Sequence, residues 1–401
     1  MMARKKILFL AEAVTLAHVG RPLALAALLD AQRFAIEFAC SPGCDAWFRD
    51  SGWVRHDVHS ISSAQFLKAL ADGKPVYDAA TLAAYVEDDL RLLDTLRPDI
   101  VIGDFRLSLS VSARLAKVPY VALINAYWSP YVRQHYSVPS LPLSALLPIP
   151  LANALFKLAR PLAFAAHTLP LNQVRRRYGL APLGPDLRRI YTDADRTLYA
   201  DVPELFPPQA MPASHSYLGP VTWSPPWAEP GWWHQLPSDK PLVYVTLGSS
   251  GQGQLLPLVL RALASLPVSV MAATANTVEL GDVPPNAHVA PFLPGETAAR
   301  RANLVICNGG SPTSQQALSA GVPVIGICGN LDQFLNMHGI AAAGAGTLLR
   351  ADRFSETALR NATQRMLNDA ASKQAAQRIA GWFASYPAGP RLSKALDQLL
   401  R

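Results

Sequence analysis

Short apolar runs alternate with amphipathic stretches along the whole chain. KKILFLA is followed by RPLALAALLDAQ with helical spacing, and FAIEFAC returns to a continuous apolar run; DIVIGD, SLSVSARLAK and PYVALIN repeat the scheme. The second half does so again, with PLVYVTLG, LLPLVLRALASL, SVMAAT, NLVICN and VPVIGI. Strands apolar on both faces, separated by helices, imply parallel sheets covered on both sides. Between Phe206 and Pro241 the periodicity stops in a proline-dense stretch carrying Trp223, Trp227, Trp232 and Trp233, which reads as an interdomain linker. The pattern predicts an α/β protein of two Rossmann-like, doubly wound domains. The boundaries fall at residues 1–218, a linker over 219–240, a second domain over 241–389, and a terminal helix over 390–401 that could pack back on the first domain.

Length agrees, because 401 residues exceed what one core normally supports. Half of them are apolar and 16% charged, which excludes a disordered chain. The net charge of +7 raises the question of anionic partners. Its Lys and Arg residues are scattered without a basic stripe, so nucleic acid is not expected, and a general attraction for phosphates or an anionic membrane surface is. Cys40, Cys44, Cys307 and Cys328 fit neither a zinc ribbon nor a disulfide scaffold and read as buried thiols of a cytoplasmic protein. The first apolar run is too short for a signal-peptide core, and Leu141–Leu171 is broken by Lys157, Arg160 and prolines. A soluble protein is predicted, with peripheral contact at the inner face of a membrane left open. His56, His59 and His135 lack metal-ligand spacing, and no metal site is expected.

Ligands of doubly wound sheets collect beyond the carboxyl ends of the strands. After NLVIC comes Asn308-Gly309-Gly310-Ser311-Pro312-Thr313, opening the helix SQQALSA. Two glycines before a helix start can cradle an anion, although a plain hydroxyl-capped turn would look similar. Gly321-Val322-Pro323, a strand, and Asp332-Gln333 with Asn336 three residues on complete a thirty-residue pattern. This stretch resembles the donor-binding signature of family-one glycosyltransferases, the UDP-glycosyltransferase superfamily of GT-B fold. Pro291-Phe292-Leu293-Pro294 and Thr246-Leu247-Gly248-Ser249 extend the resemblance upstream.

The resemblance implies two domains facing a central cleft and a nucleotide diphosphate sugar, UDP- or dTDP-linked, as co-substrate without a further cofactor. Phe292 would stack on the base and the Leu293 backbone would read its edge. Gly248 and Ser249 would face the phosphates, with Gly309, Gly310, Ser311 and Thr313 along the diphosphate. Asn308 stands where the family has a phosphate-contacting His, and Gln316 where it has a ribose-binding Glu. Asp332 and Gln333 would hydrogen-bond the sugar hydroxyls. In the first domain, Leu16-Ala17-His18-Val19-Gly20-Arg21-Pro22 is similar to the family's His-containing loop, with one extra residue before the proline. His18 would then be the general base and Asp104, ending DIVIGD, its carboxylate partner. Glu12 is the runner-up carboxylate, equally readable as a solvated loop residue.

These implications add up to an inverting, metal-independent hexosyl- or deoxyhexosyl-transferase. Its acceptor is small and apolar, aromatic or lipid-like; the aromatic loop over 125–150 and the apolar helix after it favour an aromatic or lipid-like group over a sugar chain. Two other readings stand beside it: a lipid-linked-saccharide transferase at the membrane, and a catalytically silent GT-B protein acting as a partner or activator.

Overall fold

The computed structural model describes residues 4–401 apart from 50, 142, 143, 145 and 249–251. The chain forms two compact units, the first made of Met1–Arg133, Ala154–Val221 and Tyr386–Arg401, the second of Gln134–Asn153 and Thr222–Ser385.

In the first unit, β1 (Lys5–Ala11), β2 (Phe34–Cys40), β3 (Val54–Asp57), β4 (Ile100–Asp104), β5 (Tyr120–Ile124), β6 (Arg196–Tyr199) and β7 (His215–Tyr217) make one sheet. Its order is β3-β2-β1-β4-β5-β6-β7, and all its ladders are parallel. The helices that position chemistry here are α1 (Leu16–Ala27), α2 (Ala79–Leu96), α3 (Leu109–Ala116) and α4 (Ile149–Arg177). Strands β1, β4 and β5 are buried along nearly their whole length, as their unbroken apolar sequences require. Leu8, Leu10, Val101 and Ala122 pack from the sheet against Leu93 of α2 and Leu109 of α3.

The second sheet, β8 (Leu242–Thr246), β9 (Ser269–Ala273), β10 (Ala287–Ala290), β11 (Leu304–Cys307), β12 (Val324–Cys328) and β13 (Gly346–Arg350), is also parallel, in the order β10-β9-β8-β11-β12-β13. It carries α5 (Leu256–Ala264), α6 (Ser311–Ser319), α7 (Leu331–Ala342), α8 (Glu356–Asn368) and α9 (Ala370–Ala384). Val243, Val245, Val270, Ile306 and Ile325 of the sheet are fully buried with Val259 and Leu263 of α5 and Leu359 of α8. Both sheets reverse strand order at one place, between β1 and β4 and between β8 and β11.

One feature departs from the sequence-derived boundaries. Gln134–Asn153, expected inside the first domain, belongs to the second unit. Ser140 N donates to Gly329 O at 2.7 Å, Ser144 Oγ to Asp352 Oδ2 at 3.0 Å, and Arg350 Nη1 to Val138 O at 2.7 Å. These bonds involve backbone atoms and a salt-bridged aspartate, which leave no periodic signal in the sequence. The terminal helix α10 (Ala388–Leu399) belongs to the first unit, where Gly389 packs on Leu28 and Arg33 pairs with Asp397 at 2.5 Å. Gly219 makes the join possible: its φ is +100° and a Cβ there would lie 2.1 Å from Tyr386 O, so no other residue fits.

Candidate active site

In the first unit the site forms where β1 and β4 part. Ala11 and Asp104 are register partners at the strand ends, so the loop after β1 and the end of β4 meet. Helix α1 begins at Leu16, one residue after its extended N-cap Thr15, which puts His18 in its first turn. His18 Nδ1 lies 2.7 Å from Asp104 Oδ1, and the carboxylate is fully buried. A carboxylate accepts only, so Nδ1 carries the proton and Nε2 keeps its lone pair. The His18 side chain is 16% exposed, enough to meet a substrate while most of the ring is held. Below it lies Phe105, stacked at 4.9 Å between centroids and 13° between planes. Phe105 adopts φ +59°, a left-handed conformation that costs a bulky residue about 1–3 kcal/mol and is kept where the surroundings over-determine it.

Arg21 was not among the expected site residues. It stands three positions after His18, on the same face of α1, and its guanidinium forks onto Asp104, with Nε to Oδ2 at 2.9 Å and Nη2 to Oδ1 at 2.8 Å. Its Nη1 donates to Asn125 Oδ1 at 2.7 Å, and Asn125 Nδ2 to Asp201 Oδ2 at 3.1 Å. Burial alone would lower the Arg21 pKa, but the Asp104 charge and its hydrogen bonds raise it above the ordinary value. A chain of paired groups therefore runs across the ends of β4, β5 and β6 behind the imidazole. The His18–Arg21 spacing was the available signal; the register that brings Asn125 and Asp201 to them was not readable.

Glu12 is not a solvated loop residue. It is fully buried, accepts from Arg106 Nη1 at 2.9 Å and Tyr85 Oη at 2.9 Å, and burial raises its carboxyl above the ordinary range. Arg106 also bonds Asp89 and lies 3.8 Å from the Tyr85 ring centroid, so Glu12 belongs to a closed ionic core. Around Phe105 gathers an aromatic wall: Phe66 at 6.0 Å, Tyr77 at 6.2 Å, Tyr191 at 5.6 Å, and Trp128 5.1 Å from Tyr191. The Tyr77 hydroxyl is buried there without a hydrogen-bond partner.

The second unit repeats the geometry. Cys307 and Thr246 are register partners, so Gly248 and Asn308-Gly309-Gly310 emerge side by side where β8 and β11 part. Asn308 Oδ1 accepts from Gly310 N at 3.0 Å, while its Nδ2 would lie 3.2 Å from a Cβ on Gly248. Gly309 has φ +83°, and a Cβ there would stand 2.7 Å from Cys328 Sγ and 2.9 Å from Met337 Cγ. Its carbonyl accepts from Asn336 Nδ2 at 2.8 Å, which also reaches Ser314 Oγ at 2.9 Å. Gly310 is the N-cap of α6, with Ser311, Pro312 and the half-buried Thr313 in the first turn. That turn presents backbone amides and the positive end of the helix dipole, as a diphosphate requires.

The remaining expected contacts differ in how open they are. Phe292 is half-buried and stacked on Trp227 at 4.5 Å, so one of its faces is already covered. Leu293 beside it is buried. Gln316 donates Nε2 to Trp223 O at 2.8 Å, and its Oε1 would lie 2.8 Å from a Cβ on Gly295, which places it among backbone rather than at the surface. Gln333 closes its own helix: its Oε1 accepts from Gly329 N at 2.8 Å and Asn330 N at 3.2 Å, completing a capping box with Asn330. Asp332, half-buried in the first turn of α7, stands next to it. Ser249 lies outside the described residues. Cys307 and Cys328 are buried thiols, and burial pushes Cys307 up to about 12. Among the described residues no group of three His, Cys, Asp or Glu side chains could hold a metal ion.

Comparison with known proteins decides the family. The family described as erythromycin biosynthesis protein CIII-like, C-terminal domain, matches residues 257–399. A PGL/p-HBAD biosynthesis rhamnosyltransferase of Mycobacterium bovis BCG is 53% identical over 380 residues, covering 95% of this chain and 84% of the relative. The chain is a family-one glycosyltransferase. A PGL/p-HBAD biosynthesis glycosyltransferase of Mycobacterium tuberculosis is 50% identical over 96% of this glycosyltransferase and 90% of its own length. A third relative, from M. bovis BCG, is named an inactive glycosyltransferase and is 49% identical over 65% of the chain. Among solved structures, a spinosyn rhamnosyltransferase superposes with a TM-score of 0.72 at 20% identity, covering 98% of this chain and all of that one. A spinosyn forosaminyltransferase gives the same score at 19% identity, covering 99% of this chain and all of that one. The fold is GT-B. The spinosyn rhamnosyltransferase has also been solved with thymidine diphosphate.

Proposed function

We propose that this glycosyltransferase moves rhamnose, or a similar deoxyhexose, from a dTDP-linked donor to a hydroxyl of an apolar aromatic or lipid-like acceptor, with inversion. The observation that carries the mechanism is the 2.7 Å His18–Asp104 pair with Nε2 left as the basic nitrogen. Nε2 removes the acceptor proton as the acceptor oxygen bonds to the anomeric carbon. The bond from that carbon to the β-phosphate oxygen breaks, and the electron pair leaves with the nucleoside diphosphate. Asp104 stabilises the imidazolium formed, and the Arg21 fork holds the carboxylate in place. Gly248, Asn308, Gly309, Gly310, Ser311 and Thr313 take up the diphosphate charge through amides and the α6 dipole, in place of a cation.

For the donor, the sugar follows the name of the 53% identical relative, and the nucleotide follows the thymidine diphosphate held by the spinosyn enzyme. Phe292 stacks the base on the face turned away from Trp227, beside the Leu293 backbone. Asp332 receives the sugar hydroxyls, with Gln333 behind it as the residue that sets the helix start; Gln316 acts on the ribose side through the backbone it packs against. For the acceptor, the aromatic wall of Phe66, Phe105, Trp128 and Tyr191 beside His18 favours a flat apolar group.

The test is transfer from dTDP-rhamnose to 4-butylphenol, with product followed by mass spectrometry and its anomeric configuration by NMR. Transfer with inversion that falls about 10²–10⁴-fold in His18→Ala, with donor binding retained, is the expected result. Retention of configuration, or His18→Ala turnover within a factor of three of the parent, would refute the base assignment. Transfer from UDP- or GDP-sugars alone would refute the donor.

A further inference from the structure

We propose that the outward face of helix α4 docks on an anionic lipid surface, a property independent of which acceptor is used. The part of α4 in the first unit has two unlike faces. Thr168, Leu171 and Val174 are buried at 1%, 1% and 2% exposure, and Phe164 packs with them into the core. On the other face Leu155, Leu158, Leu162 and Leu169 are 44%, 76%, 76% and 53% exposed, and Ala166 is exposed between them. At 100° per residue these five positions fall within an arc of about 80°. Isolated exposed leucines are ordinary on a protein surface; four on one narrow stripe, spaced 3, 4 and 7 apart, are not.

Charge selects the occupant. Between Ile149 and Arg177 the sequence has no Asp or Glu, while Lys157, Arg160, Arg175, Arg176 and Arg177 are cationic. Arg175 turns inward to Asp193 at 2.9 Å, and Arg177 approaches Glu87 at 3.9 Å. Arg176 and Arg177 are exposed and fall within or just beyond the leucine arc, whereas Lys157 is exposed on the opposite side of the helix. A second copy of the same face would meet Arg176 and Arg177 with no carboxylate from its own helix to pair them, on a chain of net charge +7. An anionic bilayer supplies the opposite charge over a whole plane, and a leucine stripe of this width suits shallow insertion at the headgroup level. No helix among the described residues is long and apolar enough to cross a membrane, so the contact is peripheral.

The experiment is co-sedimentation of the full chain with vesicles of phosphatidylcholine alone, or of phosphatidylcholine with 30% phosphatidylglycerol, in 50 and 500 mM salt. Binding should be about tenfold stronger to the anionic vesicles at low salt and should weaken at high salt. Leu158→Asp/Leu162→Asp should lower the partition coefficient about tenfold while leaving dTDP affinity unchanged, because neither leucine lies in the unit that carries the donor residues. Equal binding to both vesicle types, or anionic binding that the double variant does not reduce, would overturn the proposal. So would a concentration-dependent dimer, seen by sedimentation velocity without vesicle binding and abolished by the same variant, since it would assign the face to a second copy. If the proposed function failed instead, turnover would be absent with vesicle binding intact.

Discussion

Replacing Arg21 by Met tests the architecture behind the His18 imidazole. Arg21 is 6% exposed and Asp104 fully buried, and two hydrogen bonds of 2.8 and 2.9 Å join them. Without the guanidinium, Asp104 keeps the His18 imidazole as a side-chain partner, and Asn125 loses its 2.7 Å donor. Removing one side of a buried ion pair typically costs about 3–5 kcal/mol, because the remaining charge stays desolvated. The imidazole still donates to one oxygen, so the lower end, about 3 kcal/mol, is expected for Arg21→Met. Arg21→Lys keeps the charge but not the fork and should recover about 1 kcal/mol of it. Urea unfolding of the full chain, monitored by a signal from the first unit, gives both values. A double-mutant cycle with Asp104→Asn should return a coupling of at least about 2 kcal/mol. Turnover separates positioning from plain structure: in a folded Arg21→Met enzyme, kcat should fall about tenfold with the donor KM unchanged. Arg21→Met within about 1 kcal/mol of the parent, or an unchanged kcat in the folded variant, would refute the positioning role.

In the second unit, Gly309→Ala should cost about 2–4 kcal/mol, from a left-handed backbone and a Cβ 2.7 Å from Cys328 Sγ, read by denaturant titration together with loss of dTDP binding. His338 and His215 are both held near 4 by burial, His338 also by His135, so the folded state binds fewer protons than the unfolded one between pH 4 and the ordinary 6.5. Stability should therefore fall on acidification through that window, by no more than about 2 kcal/mol in total after allowing for solvent screening of two half-exposed rings, and His338→Gln should flatten the slope. Phe292→Ala should weaken dTDP binding by about 1–3 kcal/mol in calorimetry; unchanged affinity would make Phe292 a packing partner of Trp227 only. Asp332→Ala should weaken dTDP-rhamnose but not dTDP, and equal losses for both would remove the sugar contact.

How much of this was legible in the sequence depends on whether a feature is local. The two doubly wound sheets were, because a strand buried on both faces must be written as an unbroken apolar run such as IVIGD or LVYVT. The strand-to-helix turn Asn308–Thr313 was as well, since its geometry is set by glycines and a proline within six residues. Arg21 was only half legible: its position one turn after His18 is local, but the carboxylate it forks is 83 residues away. Asn125 and Asp201 were beyond reach, because they meet Arg21 only through the order β1-β4-β5-β6. Gln316 and Gln333 show the opposite limit. Their sequence context is that of ligand-binding residues, yet both amides bond backbone groups of their own unit, and no pattern in the chain distinguishes the two uses.

The extra residue between His18 and Pro22 has a physical consequence that joins these observations. Proline has no N–H, so the carbonyl of His18 loses its acceptor role in the first turn of α1, while Arg21 is brought to the face that His18 occupies. Local backbone pairing is exchanged for a buried guanidinium, and a buried guanidinium demands buried carboxylates. Asp104 answers on one side and Asn125, backed by Asp201, on the other. The His18 imidazole is thus oriented by a carboxylate that is itself clamped from a second direction, and Phe105 accepts a left-handed backbone to cover the ring from below. In the second unit the pairing is neutral rather than ionic: Asn308 Oδ1 accepts from Gly310 N and its amide nitrogen turns toward Gly248, beside the backbone amides that open α6. For the proposed reaction, charged groups in the first unit would take the proton and dipoles in the second would receive the departing diphosphate.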